Sequence, residues 1–306
     1  MGKIAFVFAG QGAQYAGMGK ELYEASAAAR EVFDRAESIR PGTKEQCFQG
    51  SLQELSVTCN TQPCLFCVDL AAAAALMERG IQPDMAAGFS LGEVAAVTFA
   101  GIAGPEDGFR LVVKRGQLMQ AAAEKTQGAM AAVLKLPNEK VEELCAGFDK
   151  VFPVNYNCPG QLVVAGEKSQ LEAFSQLVAE AKGRAKILNV SGGFHSPFMR
   201  EAAAGLAEEL EGYSLSAPSV PVYANYTALP YGENQKELLT RQVENPVRWQ
   251  QTVENMIRDG ADCFVELGPG KTLSGLIRKI NPQVTVCHVQ DRESLEETVR
   301  QLTENQ

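Results

Sequence analysis

The stretch Gly88-Phe89-Ser90-Leu91-Gly92-Glu93 decides the fold expected for this chain. An apolar run, Met85 to Gly88, precedes the serine, and a second apolar run, Leu91 to Ala100, follows it. This pattern predicts a strand that turns sharply into a helix and exposes the serine at the turn as a candidate nucleophile. Glycines at 88 and 92 leave the space that so tight a turn requires. Because the chain holds 28 glycines, the pattern alone is weak evidence, and the rest of the sequence must support it.

Composition favours a globular protein with a sizeable core, since the chain has 306 residues and 45% of them are hydrophobic. The net charge of -9 argues against a nucleic-acid surface. The apolar run Ile4 to Phe8 is too short for a signal peptide. The longest apolar window, Cys64 to Met77, is interrupted by Asp69 and is also too short to cross a bilayer. The eight cysteines lie mostly in apolar segments, which favours reduced thiols. We therefore expect a cytoplasmic protein without a membrane partner. We also expect a monomer.

The order of predicted elements indicates an α/β fold with an insertion. Strands and helices alternate up to about Lys125, which is typical of a parallel sheet covered by helices. Residues 127–195 instead follow a β-α-β-β-α-β order, which is the ferredoxin-like plan. The α/β pattern then resumes, and it includes a helix with Asn245 as its cap and Pro246 at its first position. We expect a large α/β-hydrolase-like domain with a parallel sheet over 1–126 and 196–306, and a small inserted ferredoxin-like α+β subdomain over 127–195.

A serine nucleophile needs a base, and the chain offers only His195 and His288. His195 stands where the insertion returns to the large domain, just before a helix capped by Ser196, so we expect it at the edge of the cleft. A helix N-terminus disfavours the imidazolium and helps to keep the ring neutral. A satisfied buried histidine remains the alternative for His195. His288 lies in a strand-like run and is interpreted as structural.

The anionic intermediate of acyl transfer needs preorganised N–H donors. The amide of Leu91 follows the candidate nucleophile at a helix start, where such a donor is expected. A second donor could come from the segment Gly10 to Gln14, which directly follows the first strand and therefore lies at the carboxyl edge of the sheet. An ordinary glycine-rich turn explains that segment equally well.

Arg115 is unusual because it shares a predicted helix face with Val112, Met119 and Ala122, which are all apolar. A guanidinium in such a stripe needs an anion. That anion could be a structural carboxylate, or the side chain could reach water instead. The functional alternative is a bidentate grip on a substrate carboxylate, for which arginine is well shaped.

Eight motifs together resemble the malonyl-CoA:acyl carrier protein transacylases. They extend from the first strand to the final helices in the order of that family. The motifs are Phe8-Ala9-Gly10-Gln11-Gly12-Ala13-Gln14, Thr61-Gln62-Pro63, Gly88-Phe89-Ser90-Leu91-Gly92-Glu93, Arg115-Gly116, Asn157-Cys158-Pro159-Gly160-Gln161, Gly193-Phe194-His195-Ser196-Pro197, Gln242 with Asn245-Pro246-Val247-Arg248-Trp249, and Glu266-Leu267-Gly268-Pro269-Gly270. Ala9 and Ala13 stand where proline and serine are common in the family, and neither position supplies required side-chain chemistry.

The resemblance implies the catalytic residues. Ser90 would be acylated, and His195 would act as general base and then as general acid. The amides of Gln11 and Leu91 would form the oxyanion hole, and the backbone carbonyl of Gln242 would orient His195. No carboxylate is then needed as a third member of a triad.

The resemblance also implies the substrates. Arg115 would hold the malonyl carboxylate, Gln62 would line the pocket, and Phe194 would oppose a branched methylmalonyl group. Malonyl-CoA would be the donor and acyl carrier protein the acceptor, with no metal or redox cofactor, because coenzyme A enters only as part of a substrate. Lys182, Arg184, Lys186 and Lys279 are candidates for docking the acidic carrier.

Other functions remain open at this point. A serine hydrolase or thioesterase would release the acyl group to water, and a related acyltransferase would use another dicarboxylic acyl-CoA. A catalytically silent carrier-binding subunit is a third alternative. The presence of Ser90, His195 and Arg115 in one chain argues against the silent subunit, and Arg115 argues for an anionic acyl group.

Overall fold

The structure is a computed structural model that describes residues 2–304. Nine strands occur in the described residues. They are β1 (Lys3–Phe8), β2 (Met85–Gly88), β3 (Gly128–Leu134), β4 (Val151–Cys158), β5 (Gln161–Glu167), β6 (Arg184–Ile187), β7 (Val222–Tyr223), β8 (Ala261–Leu267) and β9 (Thr285–Val289).

Fourteen α-helices and one 3-10 turn, Pro197–Met199, connect these strands within the same residues. The helices are α1 (Lys20–Ala25), α2 (Ala27–Ile39), α3 (Thr43–Gln49), α4 (Leu52–Leu55), α5 (Thr58–Glu78), α6 (Leu91–Phe99), α7 (Pro105–Lys125), α8 (Asn138–Cys145), α9 (Lys168–Glu180), α10 (Arg200–Leu210), α11 (Gln235–Glu244), α12 (Trp249–Arg258), α13 (Thr272–Ile280) and α14 (Arg292–Glu304).

The main sheet is parallel and has the strand order β7-β2-β1-β8-β9. Both of its faces are covered. Phe6 and Phe8 of β1 belong to the apolar cluster on one face, and Ala5 and Val7 belong to the cluster on the other. This burial on both sides explains why β1 is almost wholly apolar rather than alternating. The predicted α/β fold with a parallel sheet is confirmed.

A separate, smaller antiparallel sheet has the order β4-β5-β3-β6. Helices α8 and α9 pack on it around their own apolar cluster, which includes Val133, Val164 and Phe174. The segment that follows β6 returns to the main sheet and carries residues 188–196 across the space between the two sheets. Met130 of β3 and Asn155 of β4 line one cavity together with Phe89 and Ser90 at the end of β2, and sites usually form in such clefts.

The parallel arrangement determines where the loops meet. The carboxyl ends of β1, β2, β7 and β8 lie at one edge of the sheet because these strands all run in the same direction. The segment after β1, the turn after β2 and the segment after β7 therefore emerge beside one another. This edge faces the cleft, as expected for a ligand site in an α/β sheet.

One helix boundary predicted from the sequence is wrong. Asn245 and Pro246 do not open a helix, because Val247 is extended and hydrogen-bonds to β4 through its N–H and its carbonyl. Asn245 instead ends α11, where its side chain donates to the carbonyl of Arg241 at 2.8 Å. The next helix begins only at Trp249.

Helix α5 is longer than the apolar window recognised in the sequence. Its 21 residues are long and apolar enough to cross a membrane by length and composition alone. In the fold, 83% of its most apolar window is buried against protein, and Asp69 lies inside the core. The same length and composition are typical of a core helix, so the burial explains the apolar run without a membrane.

Strand β2 turns into helix α6 at Ser90, as predicted. A Cβ atom at Gly88 would overlap the backbone carbonyl of Gly92, and one at Gly92 would overlap the backbone oxygens of Phe8 and Ala9. Both glycines are therefore required by the close approach of backbones, because no flexible side chain can move away to make room.

We predict that Gly88→Ala lowers the free energy of unfolding by about 3 kcal/mol or more, because the added methyl overlaps backbone. Gly275→Ala is the matched control, since Gly275 lies in α13 with open space around its would-be Cβ. That control should raise stability by about 0.5–1 kcal/mol, the helix preference of alanine over glycine. Urea unfolding of the three chains measures both effects. An unfolding midpoint for Gly88→Ala equal to that of the unaltered chain would contradict the tight turn.

Candidate active site

Ser90 occupies the turn between β2 and α6 with a strained backbone. Its φ of 57° and ψ of -110° are unusual for a residue with a side chain. This conformation lifts the hydroxyl out of the sheet edge toward the cleft. The first N–H of α6, that of Leu91, has no partner inside the helix because of its position.

His195 lies next to Ser90. Its Nε2 is 2.7 Å from Ser90 Oγ, and its Nδ1 is 2.8 Å from the backbone carbonyl oxygen of Gln242. A carbonyl only accepts hydrogen bonds, so we assign the proton to Nδ1, which leaves Nε2 as the acceptor for the serine hydroxyl. The pair therefore has the geometry of a nucleophile and its base, oriented by a backbone carbonyl.

The His195 ring is neutral at physiological pH. Burial lowers its pKa to about 4, and the positive charge of Arg115 contributes to the same shift. Hydrogen bonds to backbone at Gln242 and Asn245 oppose the shift and are weaker than its causes. The ring can therefore accept a proton at neutral pH.

Arg115 is buried, with 1% of its surface exposed, which excludes the alternative that it reaches water. Its Nη1 donates to Gln62 Oε1 at 2.7 Å, and its Nη2 donates to Gln242 Oε1 at 2.9 Å and to Ser90 Oγ at 3.3 Å. Its Nε has no hydrogen-bond partner among residues 2–304. Neutral amides thus hold the guanidinium in place without neutralising its charge.

Within the described chain, no carboxylate forms an ion pair with Arg115. The structural-carboxylate alternative fails on that ground. The charge of Glu93 raises the pKa of Arg115 without a hydrogen bond between them. Burial has the larger and opposite effect and lowers the pKa of Arg115 to about 10. The side chain therefore stays cationic at neutral pH and keeps N–H donors for an anion.

The other predicted residues lie around the same cavity of about 100 Å³. Gln242 contacts these residues through the bonds given above, and the other seven predicted residues are among the thirteen that line the cavity. The seven are Gln11, Gln62, Ser90, Leu91, Arg115, Phe194 and His195. The structure thus brings all eight predicted residues together, and the chemical role of each remains a prediction.

Gln11 reaches the site because the segment after β1 closely approaches the turn that carries Ser90. A Cβ atom at Gly10 would come within 2.8 Å of the carbonyl oxygen of Phe89. This approach brings the backbone of Gln11 to the side of the cavity that holds Ser90 and Leu91. The placement suits two N–H groups that converge on one oxyanion.

Asn225 also contacts the Ser90 turn, and the sequence did not predict this. Its Oδ1 accepts from the backbone N–H of Ser90 at 2.8 Å, and its Nδ2 donates to the carbonyl of Gly88 at 2.6 Å. Gln242 Nε2 donates to the carbonyl of Ser90 at 2.7 Å. Two side chains therefore hold the strained turn from both sides, which allows its unusual dihedral angles to persist.

Asn225 in turn contacts a buried carboxyl group, that of Glu93. Glu93 accepts from the backbone N–H of Asn225 at 3.1 Å and from the hydroxyl of Tyr231. Burial raises its pKa to about 7, although these hydrogen bonds and Arg115 favour its charged form. Glu93 is the last residue of the motif that contains Ser90, but the motif does not indicate that Asn225 and Tyr231 are its partners. Asn225 lies two residues after the end of β7, so only its place near a strand end offered a signal.

His288 lies in β9 and is not among the residues that line the cavity. Its interpretation as a structural residue is compatible with that position. In the described residues, no group of three or more histidine, cysteine, aspartate or glutamate side chains is arranged to hold a metal ion.

Comparison with known proteins agrees with this arrangement. The acyl transferase domain family matches residues 5–297. A malonyl CoA-acyl carrier protein transacylase of Bacillus subtilis (strain 168) is 39% identical over 315 residues, covering 99% of this chain and 98% of that protein.

Solved structures of the same kind are also similar. The crystal structure of a malonyl CoA-acyl carrier protein transacylase from Clostridium perfringens ATCC 13124 has a TM-score of 0.96 and 40% identity, over 99% of this chain and 98% of that one. A malonyl-transacylase in complex with a type II polyketide-synthase acyl carrier protein has a TM-score of 0.94 and 36% identity, over 98% of this chain and 99% of that one.

Proposed function

Because this chain belongs to the acyl transferase domain family, we propose that it moves a malonyl group from coenzyme A to the phosphopantetheine thiol of an acyl carrier protein. One observation carries the proposal for this site. A buried arginine with no carboxylate partner in the described residues lies beside a serine that is hydrogen-bonded to a neutral histidine. That combination suits a nucleophile whose acyl substrate carries its own negative charge.

In the first half of the reaction, Ser90 Oγ attacks the thioester carbonyl while His195 Nε2 takes its proton. The carbonyl oxygen becomes an oxyanion, which the amides of Gln11 and Leu91 stabilise. Coenzyme A then leaves as a thiol with the proton from His195, and the malonyl group remains as an ester on Ser90. The hydrogen bond from His195 Nδ1 to the Gln242 carbonyl supports this role, because it holds the ring in the reactive tautomer.

In the second half, the thiol of the carrier's phosphopantetheine arm attacks the same ester. His195 now takes the thiol proton and returns it to Ser90 Oγ as the ester bond breaks. Water competes with the thiol for the ester. The buried position of His195 and the small volume of the cavity support the exclusion of water from this step.

Arg115 selects the acyl group through charge. Gln62, Gln242 and Ser90 accept from three of the five N–H groups of the guanidinium, which leaves the Nε–H and the second Nη1–H as donors for the malonyl carboxylate. A neutral acetyl group would gain nothing from this charge. A different dicarboxylic acyl group is the alternative, and the limited volume of about 100 Å³ favours the small malonyl group.

Phe194 is proposed to restrict branched acyl groups. Its side chain is buried and lines the cavity next to His195, together with Met119 and Met130. A methyl branch on the malonyl group would have to occupy space that these three apolar side chains fill. Overpacking of that kind is costly, so the arrangement supports a preference for malonyl over methylmalonyl.

Four exposed basic residues are the candidates for docking an acidic carrier protein. Arg184 and Lys186 lie on β6, an edge strand of the small sheet, and Lys182 precedes it. All three side chains are exposed, as is Lys279 on α13. Opposite charges on two proteins raise their association rate and orient them as they dock. This supports docking of the carrier at these four residues.

Several finer assignments belong to the same proposal. The nucleophile turn supports an α/β-hydrolase-like description of the parallel part, and the strand order with two helices supports a ferredoxin-like description of residues 127–195. The division at 126 and 196, the lack of a cofactor, the monomeric state and the cytoplasmic location stay predictions.

We predict that intact-mass analysis after incubation with malonyl-CoA detects one malonyl adduct, and that Ser90→Ala abolishes it. Ser191→Ala is the matched control and should keep the adduct, since Ser191 lies near the cleft without contacting His195. Addition of a carrier thiol should discharge the ester faster than water does. An adduct that persists in Ser90→Ala would refute the nucleophile, and release mainly as free malonate would favour a hydrolase.

We predict that Arg115→Ala lowers malonyl transfer about 10²- to 10³-fold more than acetyl transfer, because only the malonyl group loses a buried charge partner. Measuring kcat/KM with both acyl-CoA substrates gives the ratio, which cancels a general loss of activity. Arg110→Ala, at an exposed position of the same helix, is the control and should leave the ratio unaltered. Equal losses for the two substrates in Arg115→Ala would indicate a structural arginine.

A further inference from the structure

The dihedral angles of Ser90 determine where two of the proposed reacting groups lie. Its φ sets the direction of the hydroxyl, whose Oγ is 2.7 Å from His195 Nε2. Its ψ sets the direction of the Leu91 N–H, because that N–H lies in the peptide plane that follows Ser90. Both angles are unfavourable for a serine, so contacts must hold them. A side chain that fixes this turn therefore positions the nucleophile and one oxyanion donor together.

Asn225 fixes the turn from a fully buried position. Its side chain accepts from the Ser90 N–H at 2.8 Å and donates to the Gly88 carbonyl at 2.6 Å. A carboxylate of the same shape could only accept, so an aspartate would lose the second bond. Oδ1 of Asn225 also accepts from Gln242 Nε2 at 3.2 Å, and the same Gln242 atom donates to the Ser90 carbonyl at 2.7 Å. The two amides that hold the turn therefore also hold each other.

Asn225 is itself held in place through its backbone. Its carbonyl accepts from the Arg248 N–H at 3.0 Å, and its N–H donates to Glu93 Oε2 at 3.1 Å. The other carboxylate oxygen, Oε1, accepts from the Tyr231 hydroxyl. Glu93 lies in the first turn of α6, the helix that begins directly after Ser90. The carboxylate therefore connects the start of α6 to the segment that positions Asn225.

These contacts suit Glu93 in its ionised form, because both of its oxygens accept. A proton on Oε1 would leave the hydroxyl of Tyr231, which is 7% exposed, without its acceptor. A proton on Oε2 would displace the N–H of Asn225. Protonation therefore breaks one bond of this network, whichever oxygen takes the proton.

Glu93 can change its charge near neutral pH. Burial raises its pKa to about 7, against the groups that face it and favour the charged form. Those groups are Tyr231, Asn225, Gln242 and Arg115. Burial and the charge of Glu93 hold the pKa of the Tyr231 hydroxyl well above its usual value, so this hydroxyl keeps its proton. Uptake of a proton by this pair near pH 7 is therefore uptake by the Glu93 carboxylate.

We infer that Asn225 is a positioning residue for acyl transfer, and that it holds the Ser90 turn in the reactive conformation while Glu93 is ionised. When Glu93 takes up a proton, the network loses one bond, and the turn that it restrains gains freedom. A displacement of the nucleophile by about 1 Å lowers a rate about 10²-fold, so a small loosening is measurable. This inference rests on the proposed function, since it assigns a role within that reaction.

The pH dependence of acylation tests the role of Glu93. The measurement is kcat/KM for transfer of malonyl from malonyl-N-acetylcysteamine to Ser90, by intact mass after rapid quenching, between about pH 5 and 9. This donor has no phosphate, and its carboxylate is ionised throughout. The value should fall below about pH 7, where Glu93 takes up a proton, whereas His195, with a pKa of about 4, stays neutral. Glu93→Gln cannot ionise, so it should be about 10- to 100-fold slower at pH 8 and lack this fall. A fall that Glu93→Gln retains would overturn the inference.

Tyr231→Phe is a smaller change that leaves the carboxylate in place. It removes one hydrogen bond to the charged form, so the fall in kcat/KM should move about one unit or more to higher pH. A merely structural role would instead lower the rate equally at every pH. Glu142→Gln and Tyr156→Phe are the matched controls, since these two side chains form a similar pair at 2.6 Å that does not line the cavity. Both controls should keep the unaltered profile, and an unmoved profile in Tyr231→Phe would contradict the inference.

Asn225→Leu tests the positioning role directly. It should lower kcat of acylation about 10²-fold and leave KM within about twofold, because the bonds that it removes are to the Ser90 turn. If the leucine variant does not fold, Asn225→Asp replaces it, which keeps the acceptor for the Ser90 N–H and loses the donor to Gly88. An unchanged kcat in the variant that folds would overturn the inference.

The outcomes separate this inference from the proposed function. If the unaltered chain forms the Ser90 ester and the variants keep its rate and pH profile, the inference fails and the proposed function stands. If no ester forms, the proposed function fails. The rate at which phenylmethanesulfonyl fluoride modifies Ser90 then decides the inference, because that reaction needs only the serine and its base. It should show the same fall near pH 7 and the same shift in Tyr231→Phe, and equal profiles in these two chains would overturn the inference.

Discussion

The site depends on one buried positive charge, the guanidinium of Arg115, which has no carboxylate partner in the part of the chain that the structure describes. Two glutamine side chains solvate it, and burial holds it in a medium where charges interact strongly. An isolated buried charge is costly, and a protein rarely retains one without use. The arrangement is accounted for if the missing anion is the carboxylate of the substrate.

The same charge acts on the histidine beside Ser90. Arg115 helps to lower the pKa of His195 to about 4, so the ring is neutral and able to act as the base that we propose. Gln242 connects the parts, because its side chain contacts Arg115 and the carbonyl of Ser90, while its backbone carbonyl holds the His195 ring. Glu93, with its pKa raised to about 7, supports the turn through Asn225 rather than contacting the guanidinium. Ser90, His195 and Arg115 thus share one hydrogen-bond network.

The features of the site that the sequence predicts are those set by residues close together in the chain. Features that depend on contacts between distant segments could not be predicted. The Ser90 turn is local, since the glycines at 88 and 92 and the flanking apolar runs determine it, and the structure has it where the sequence indicates. Arg115 was recognisable from helical spacing. Asn225 was not, because its role requires β7 to lie beside β2, and nothing in either segment specifies that pairing. The boundary at Asn245 was wrong for a similar reason, since a distant strand holds Val247 extended.

The most direct test of the account is an NMR titration of His195, which the single other histidine, His288, makes easy to assign. The measurement compares the chain with Ser90 carrying an acetyl ester and with Ser90 carrying a malonyl ester, which differ only in one carboxylate. If that carboxylate pairs with Arg115, it offsets the positive charge beside the ring. The pKa of His195 should then be about one unit or more higher in the malonyl form than in the acetyl form. Equal pKa values in the two esters would contradict the claim that Arg115 holds the malonyl group.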